Sequence, residues 1–92
     1  MNWTVLILPA FVKQLATLPK GVRSRAETFV FETLPQANNP YGVHGIEKLE
    51  GYKEYYKARF GQYRLGLKID KNRREVTVCC IFHRREIYRH FP

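Results

Sequence analysis

The residue order on either side of Gly61 constrains the fold of this chain more than any other feature of its sequence. Apolar and polar side chains alternate through residues 55–70, YYKARFGQYRLGLKID, which is the period of a strand with one buried face. Gly61 and Gln62 interrupt the alternation, and glycine at the first position of a two-residue loop is typical of a type II′ turn. The sequence therefore predicts a β-hairpin whose two arms meet at this turn.

The predicted turn also fixes the pairing between the two arms. Arg59 is expected opposite Arg64, and Lys57 opposite Gly66, on the face that points away from the core. Like charges directly opposite each other destabilise a sheet by about 0.2–1 kcal/mol per pair, and a glycine inside a strand lets a ligand approach the backbone. We interpret these cations as an anion site, and an ordinary solvated face is the alternative.

The rest of the pattern predicts a small α+β domain over residues 1–92. In chain order it predicts a strand over 2–8, a helical hairpin from Pro9 to Pro35 with a turn at 19–21, a long connection over 35–54, the β-hairpin, a strand over 75–83 and a short C-terminal helix. The order is β-α-α-β-β-β(-α). We expect the helical hairpin to pack on one face of a mainly antiparallel four-stranded sheet, because each apolar helix stripe must be buried.

The charge balance points to an anionic partner. The chain has 16 lysine and arginine residues against 8 aspartate and glutamate residues, a formal net charge of +8. A surplus of this size in so small a domain most often serves nucleic-acid binding, although charge can also serve solubility alone.

The cysteines and the N-terminal segment indicate a cytoplasmic protein. Cys79 and Cys80 are adjacent and point to opposite faces of an ideal strand, so they suit neither a disulfide framework nor a zinc site. The segment MNWTVLILPAFV has no basic region before it and is too short to span a bilayer. We therefore expect no membrane partner, no metal and no cofactor.

The C-terminal segment adds further polar groups to the predicted anion site. If the strand ending at His83 lies beside residues 63–69, then His83, Arg84, Arg85 and Tyr88 reach the same edge of the sheet, so the site holds an imidazole and a phenol beside its cations. Such a group meets the needs of RNA strand cleavage without a metal. A base takes the proton of a ribose 2′-OH, cations stabilise the phosphorane, and an acid protonates the departing 5′ oxygen, while aromatic rings stack on splayed bases.

Three segments together resemble the RelE/ParE superfamily of bacterial toxins. They are EKLEG at 47–51, YYKARFGQYRLGLKID at 55–70 and VCCIFHRREIY at 78–88. The helical hairpin precedes them in the same order, so the resemblance spans nearly the whole chain. Similarity to the RelE branch implies a type II toxin that enters the ribosomal A site, contacts 16S and 23S rRNA, and cleaves mRNA there without a metal. It also implies a cognate antitoxin that neutralises the toxin.

The resemblance implies roles for individual side chains. Lys57 would act as base or electrostatic stabiliser, and Arg59, Arg64 and Arg84 would bind the scissile phosphate. Tyr88 would stack on an mRNA base and orient it.

Two of these roles stay open at the level of sequence. His83 is the alternative to Lys57 as the base, because other branches of the superfamily use a histidine in acid–base work and an imidazole needs little adjustment near neutral pH. The close spacing between the HRR segment and Tyr88 would let Arg84 and Arg85 exchange roles. Further RNA contacts are expected from Lys48, Lys53, Lys68 and Arg85.

Two other functions fit the same sequence. The ParE branch has a similar fold but poisons DNA gyrase, and it lacks the cationic set carried here by residues 57–88. The third possibility is a non-catalytic RNA-binding module with the same basic face.

Overall fold

Five strands form one sheet in the computed structural model, which describes residues 3–92. They are β1 (Thr4–Ile7), β2 (Ile46–Lys48), β3 (Tyr55–Phe60), β4 (Tyr63–Asp70) and β5 (Glu75–His83), in the spatial order β1-β5-β4-β3-β2. β1 runs parallel to β5, and all other neighbours are antiparallel. The predicted α+β class and mainly antiparallel sheet are confirmed, and β5 lies inside the sheet between β1 and β4.

The sheet has five strands where the sequence predicted four. The additional strand, β2, lies within the connection that the sequence left without structure over residues 35–54. It is only three residues long, which is too short for an alternating pattern to emerge. The predicted first strand began at residue 2, which lies outside the described residues, and β1 begins at Thr4.

The helices form the predicted hairpin with one local departure. α1 (Pro9–Leu15) forms the first arm. The second arm is one continuous helical segment made of α2 (Lys20–Thr28), a π-helical turn (Phe29–Thr33) and α3 (Leu34–Gln36). The N–H of Leu34 bonds to the carbonyl of Phe29 five residues earlier, so the wider turn comes just before Pro35, which has no N–H to donate. The helix therefore passes the predicted end at Pro35 by one residue.

Two further helical pieces complete the described chain. A 3₁₀ turn (Pro40–Gly42) lies in the connection between α3 and β2, and α4 (Ile87–His90) follows β5. Within residues 3–92, no helix has both the length and the apolar character that crossing a bilayer requires.

The main core lies between the helices and one face of the sheet. Phe11 of α1 and Val30 of the π-helical turn are fully buried there. The predicted inner face of the β-hairpin is confirmed, because all its members belong to this core or pack against it: Tyr56, Ala58, Phe60, Tyr63, Leu65 and Leu67.

The β3–β4 hairpin has the predicted turn and register. Gly61 has a φ of 60°, which a type II′ turn requires at its first central position. Arg59 pairs with Arg64 and Lys57 pairs with Gly66. The glycine therefore sets which side chains share the outer face of the sheet.

A second, smaller cluster covers part of that outer face. It contains Leu49, Cys80, Ile87 and Phe91, all buried. The ring of Phe91 lies against the backbone of Gly66, so a Cβ added at Gly66 would stand 2.9 Å from three ring carbons. The expectation that Gly66 leaves room for a ligand is therefore wrong: the glycine makes room for the C-terminal segment.

The two thiols belong to the same outer region. A register shift in the β4–β5 pairing leaves Cys79 without a partner residue between Val78 and Cys80, so both cysteines lie with the smaller cluster. Both thiols are free. Burial raises the pKa of Cys80 to about 12 and also raises the pKa of Cys79, so both stay protonated and weakly nucleophilic at neutral pH.

The contact between Gly66 and Phe91 gives a testable stability effect. We expect Gly66→Ala to lower the free energy of unfolding by about 1–3 kcal/mol, because a methyl group forced into a filled space displaces its neighbours. Urea denaturation followed by circular dichroism measures the change. Gly21→Ala is the control, since a Cβ there meets no atom within 4 Å. A Gly66→Ala variant as stable as the Gly21→Ala variant would contradict this packing.

Candidate active site

Three elements bring cations together at the end of the sheet where β3 turns into β4. The β4–β5 pairing continues to the pair Tyr63 and His83. The backbone N–H of Arg84 then donates to the carbonyl of Gln62 at 2.7 Å. This bond ties the segment after β5 to the hairpin turn, and it carries the arginines of the HRR segment to the outer face beside Arg64.

These residues line an open cleft of about 460 Å³, which we call the cationic cleft. All six lining side chains are cationic or phenolic: Lys57, Arg59, Arg64, Arg84, Arg85 and Tyr88. The structure therefore brings together five of the six side chains for which the sequence predicted a catalytic role. It adds Arg85, which the sequence predicted as an RNA contact.

Lys57 and Tyr88 are in direct contact across the cleft. The Lys57 Nζ donates to the Tyr88 Oη at 2.9 Å and lies 5.5 Å from the centre of the tyrosine ring. Ile87 is buried next to Tyr88 and anchors α4, whereas 58% of Tyr88 is exposed. The ring is therefore held at one end and open to solvent, as a side chain that stacks on a base must be.

Arg64 is held by the turn beside it. Its Nη1 donates to the carbonyl oxygens of Gly61 at 2.8 Å and Tyr63 at 3.0 Å. These bonds use one nitrogen of the guanidinium group, so Nη2 and Nε retain N–H donors that suit a phosphate oxygen. Arg64 is thus a fixed donor before any anion arrives.

Arg59 is neutralised by an acidic partner that the sequence did not reveal. Glu47 lies opposite Lys57 in the β2–β3 pairing, and its Oε1 is 3.0 Å from the Nε of Arg59. The register of Arg59 against Arg64 was predicted correctly, and the ion pair with Glu47 offsets part of the repulsion expected from that pairing. The offset depends on β2, which places a carboxylate diagonally across from Arg59.

This ion pair changes the expected effect of removing Arg59. Arg59→Gln should leave the free energy of unfolding within about 0.5 kcal/mol of the parent value, as at most surface positions. Relief of the repulsion with Arg64 and loss of an exposed ion pair have similar sizes and opposite signs.

Urea denaturation at low salt measures that effect. Glu47→Gln is the matched variant, because it removes the attraction and keeps the repulsion, and it should be less stable than Arg59→Gln. A gain of a full ~1 kcal/mol for Arg59→Gln would mean that Glu47 does not neutralise Arg59 in solution.

The structure does not bring His83 into the cationic cleft. His83 pairs with Tyr63, whose side chain packs against the main core, and the two rings meet edge to face at 5.5 Å. Its Nδ1 accepts the backbone N–H of Arg85 at 3.2 Å. His83 therefore shapes the turn that carries the arginines. The sequence predicted His83 as the alternative base, but its side chain does not line the cleft.

The other predicted RNA contacts lie apart from the cleft. Lys48 ends β2 opposite Tyr56, and Lys53 is exposed in the connection between β2 and β3. Lys68 shares the outer face of β4 but lies four residues beyond Arg64, about 13 Å along the strand. RNA contacts by these three lysines remain predictions.

A second cleft, which we call the aromatic cleft, adjoins the first and was not foreseen. It has a volume of about 360 Å³ and shares Lys57 and Tyr88 with the cationic cleft. Its remaining lining comes from the connection after β2 and from the C-terminus: Leu49, Glu50, Tyr52, Phe91 and Pro92. The EKLEG segment supplies Leu49 and Glu50 to this cleft. Its sequence has no periodicity from which the positions of these side chains could be predicted.

Comparison with known proteins assigns the chain to a family. The family model described as "ParE toxin of type II toxin-antitoxin system, parDE" matches residues 5–88. The chain belongs to this family of toxins. Toxin RelE3 of Methanocaldococcus jannaschii is 33% identical over 89 residues, which are 96% of this chain and 98% of that protein.

Solved structures of toxins in this family have the same fold. The chain is similar to the toxin of a RelB-RelE antitoxin-toxin complex from Methanococcus jannaschii, with a TM-score of 0.73 and 30% identity over 95% of this chain and 99% of that one. It is also similar to a chain of the archaeal RelE-RelB complex from Pyrococcus horikoshii OT3, with a TM-score of 0.71 and 27% identity over 95% and 100% of the two chains. The predicted RelE-like fold is confirmed, and the chain is a RelE-like toxin of a type II toxin–antitoxin system.

Proposed function

We propose that this toxin is a ribosome-dependent mRNA endonuclease that cuts the strand by attack of a ribose 2′-OH on the adjacent phosphate. The observation that carries the proposal is the cationic cleft, in which Lys57 and Tyr88 lie beside arginines from β4 and from the segment after β5. Phosphoryl transfer needs charge at the phosphate and a group that accepts the proton of the attacking hydroxyl.

Lys57 acts in this proposal as the base. Its side chain reacts as the neutral amine, which accepts the proton of the 2′-OH while the 2′ oxygen forms a bond to phosphorus. The bond from phosphorus to the 5′ oxygen then breaks, which leaves a 2′,3′-cyclic phosphate on one fragment and a 5′-OH on the other. The cleft is open to solvent, so water can supply the proton that the leaving oxygen takes. Of the two candidate bases, Lys57 is supported because it lines the cleft and His83 does not.

Arginines stabilise the charge that develops during this reaction. Arg64 and Arg84 lie on different elements and meet at the cleft, so they can contact the non-bridging oxygens of the phosphorane from separate directions. Donors that are in place before the reaction need no reorganisation during it. The bonds of Arg64 to the turn give it that character.

The shape of the cleft supports a requirement for the ribosome. An open cleft supplies charge but few contacts that would hold the 2′ oxygen in line with the scissile bond. Such alignment accounts for a large part of many rate enhancements. We therefore assign the alignment to the A site and its rRNA, and the chemistry to the toxin.

A cognate antitoxin is the second partner that we propose. RelE toxins similar to this chain were crystallised with RelB antitoxins. The net charge of +8 favours an acidic antitoxin segment, whose attraction would weaken as salt increases. A toxin that acts on ribosomes also has to reside in the cytoplasm.

The main alternative is a ParE-like action on DNA gyrase, because the matching family model carries the ParE name. A non-catalytic RNA-binding module is the other. The curated relative is instead named RelE3, and the cationic cleft favours RNA cleavage over both alternatives.

Brief induction of the toxin without an antitoxin distinguishes the three functions. We expect translation to stop within minutes and primer extension to show new mRNA ends inside translated codons. Plasmid supercoiling should be unaffected. Intact mRNA together with inhibited supercoiling would favour the gyrase alternative, and intact mRNA bound by the toxin would favour the RNA-binding module.

A further inference from the structure

Another cleft, which we call the distal cleft, lies at the end of the sheet opposite the cationic cleft. It has a volume of about 380 Å³, and its lining side chains are aromatic, amide or cationic: Trp3, Asn38, Asn39, Tyr41, Lys71 and Arg74. Lys71 lies seven residues beyond Arg64, roughly 23 Å along the direction of β4. A single nucleotide therefore cannot occupy both clefts.

The aromatic wall of the distal cleft is anchored but open to solvent. Trp3 packs against the main core and meets the ring of Tyr41 edge to face at 5.9 Å. Tyr41 in turn meets the ring of Tyr56 at 5.8 Å, and the Asn39 Oδ1 accepts the backbone N–H of Tyr41 at 3.0 Å. Trp3 is partly exposed and Tyr41 is 41% exposed. Rings held in this way suit stacking on an unpaired base.

The cationic wall is formed by Lys71 and Arg74, which are both exposed. Neither takes part in the ion pairs found among residues 3–92, whereas Arg73 pairs with Glu75 at 3.9 Å. The backbone φ of Arg74 is 52°, a left-handed conformation that glycine adopts without the crowding a side chain brings. Backbone stability alone would favour glycine at this position, so a role for the Arg74 side chain accounts for the arginine.

Two carboxylates lie near the distal cleft but do not line it. Burial raises the pKa of Tyr41, and nearby Asp70 and Glu54 contribute to the increase. The Asp70 Oδ1 accepts the backbone N–H of Arg73 at 3.1 Å, which uses this acid within the turn. The lining itself has two cations and no carboxylate, as a site for a phosphate requires.

We propose that the distal cleft binds an unpaired nucleotide of ribosomal RNA and so anchors the toxin to the ribosome away from the scissile phosphate. The base stacks on the rings of Trp3 and Tyr41. Lys71 and Arg74 contact the phosphates beside it, and the side-chain amide of Asn39 donates to the edge of the base. The anchoring role rests on the proposed function, whereas binding of the nucleotide does not.

The position of the distal cleft favours ribosomal RNA over mRNA as the source of the nucleotide. Trp3 packs on the helix side of the sheet, whereas the cationic cleft lies on the outer face at the other end. An mRNA strand held in the cationic cleft would have to pass around the sheet to reach Trp3. Ribosomal RNA surrounds the A site and can approach the toxin from more than one side.

Tryptophan fluorescence tests nucleotide binding without any cleavage. Trp3 is the one tryptophan of the sequence, and a base that stacks on its ring quenches its fluorescence. The probe is an RNA hexamer of mixed sequence with methylated 2′-OH groups, which the proposed chemistry cannot cut. We expect saturable quenching that persists in Arg64→Ala, because Arg64 belongs to the cationic cleft. An unquenched parent, or equal quenching by hexaglutamate, would overturn the proposal.

Three variants separate the distal cleft from overall charge. Arg74→Gly suits the positive φ and should reduce the slope of log affinity against log salt by about 0.7, the value for one phosphate contact on a single strand. Tyr41→Ala should weaken binding at least about fivefold, the lower end for loss of a stacking ring. Arg73→Ala removes a charge from the same turn but not from the cleft, and it should keep the parent affinity. Equal losses in Arg73→Ala and Arg74→Gly would overturn the proposal.

Ribosome assays separate this proposal from the function on which the anchoring rests. Arg74→Gly should co-sediment less than Arg73→Ala with ribosomes that carry no mRNA, and equal co-sedimentation would overturn the assignment to ribosomal RNA. On programmed ribosomes, Arg74→Gly should raise the toxin concentration for half-maximal cleavage by a larger factor than it lowers the rate at saturation. The reverse would overturn the anchoring role. If binding to the hexamer and to ribosomes depends on Arg74 while no mRNA is cleaved, the distal cleft stands and the endonuclease function is wrong.

Discussion

Replacing Lys57 with methionine should lower the single-turnover rate of mRNA cleavage by about 10²- to 10⁴-fold, the range that a general base typically contributes. Lys57 lines both the cationic cleft and the aromatic cleft and is the side chain there to which we assign the proton transfer. Methionine keeps the unbranched aliphatic stem of lysine, so packing around Ala58 and Gly66 should change little. The rate is measured with purified toxin on ribosomes that carry a defined mRNA.

Two further variants distinguish a proton acceptor from a fixed cation. Lys57→Arg keeps the positive charge, but a guanidinium group does not give up its proton in proteins. We expect Lys57→Arg to be nearly as slow as Lys57→Met, and we expect His83→Gln to stay within about tenfold of the parent rate. An active Lys57→Arg variant would make Lys57 an electrostatic stabiliser. A His83→Gln variant as slow as Lys57→Met would identify His83 as the base and contradict the assignment.

Replacing Arg64 with alanine should lower the same rate by about 10²- to 10³-fold, which is the effect of removing one preorganised donor from a charged transition state. Arg64 is fixed by its bonds to the carbonyls of Gly61 and Tyr63, so no reorganisation is needed when charge develops on the phosphate. Arg73→Ala is the control. It removes the same charge from the turn between β4 and β5, at the other end of the sheet.

The comparison of these two variants separates local from overall charge. If Arg73→Ala slows cleavage as much as Arg64→Ala does, the arginines act by attracting RNA and not by stabilising the transition state.

Tyr88→Phe should lower the cleavage rate less than Lys57→Met or Arg64→Ala does, because it keeps the stacking ring and loses only the hydrogen bond from Lys57.

The hairpin that carries much of the cleft could be predicted from local sequence. Gly61 selects a two-residue turn, and the turn fixes the register, so the placement of Lys57, Arg59 and Arg64 on one face followed from a single glycine. The position of Arg84 could be predicted in the same way, because the pairing of β5 with β4 determines where Arg84 emerges from the sheet. Interactions between neighbouring strands leave a pattern that can be read along the chain.

Contacts between distant segments could not be predicted in this way. The partner of Arg59 is Glu47 on a strand of three residues, and the filling of the space over Gly66 comes from Phe91 near the C-terminus. Neither leaves a period in the sequence, since each depends on how the chain folds back over the outer face. The aromatic cleft could not be predicted for the same reason, because its walls come from the connection after β2 and from the C-terminal residues.

An irregularity within β5 decided the position of His83. A histidine that ends an apolar strand and precedes two arginines is a reasonable base when only the sequence is considered. Alternation along β5 is broken by the irregularity at Cys79, and the side chain of His83 consequently pairs with Tyr63 on the helix side. A single extra residue in a strand moves all later side chains to the other face.

Analysis of the cleavage products is the most direct test of the central claim, that the cationic cleft cuts mRNA through a ribose 2′-OH. Purified toxin is incubated with programmed ribosomes, and the mass of the upstream fragment is determined. The account predicts a 2′,3′-cyclic phosphate at the new 3′ end and no cleavage when the nucleotide before the cut lacks its 2′-OH. A fragment ending in a 3′-hydroxyl, or cleavage of the 2′-deoxy substrate at the parent rate, would contradict it.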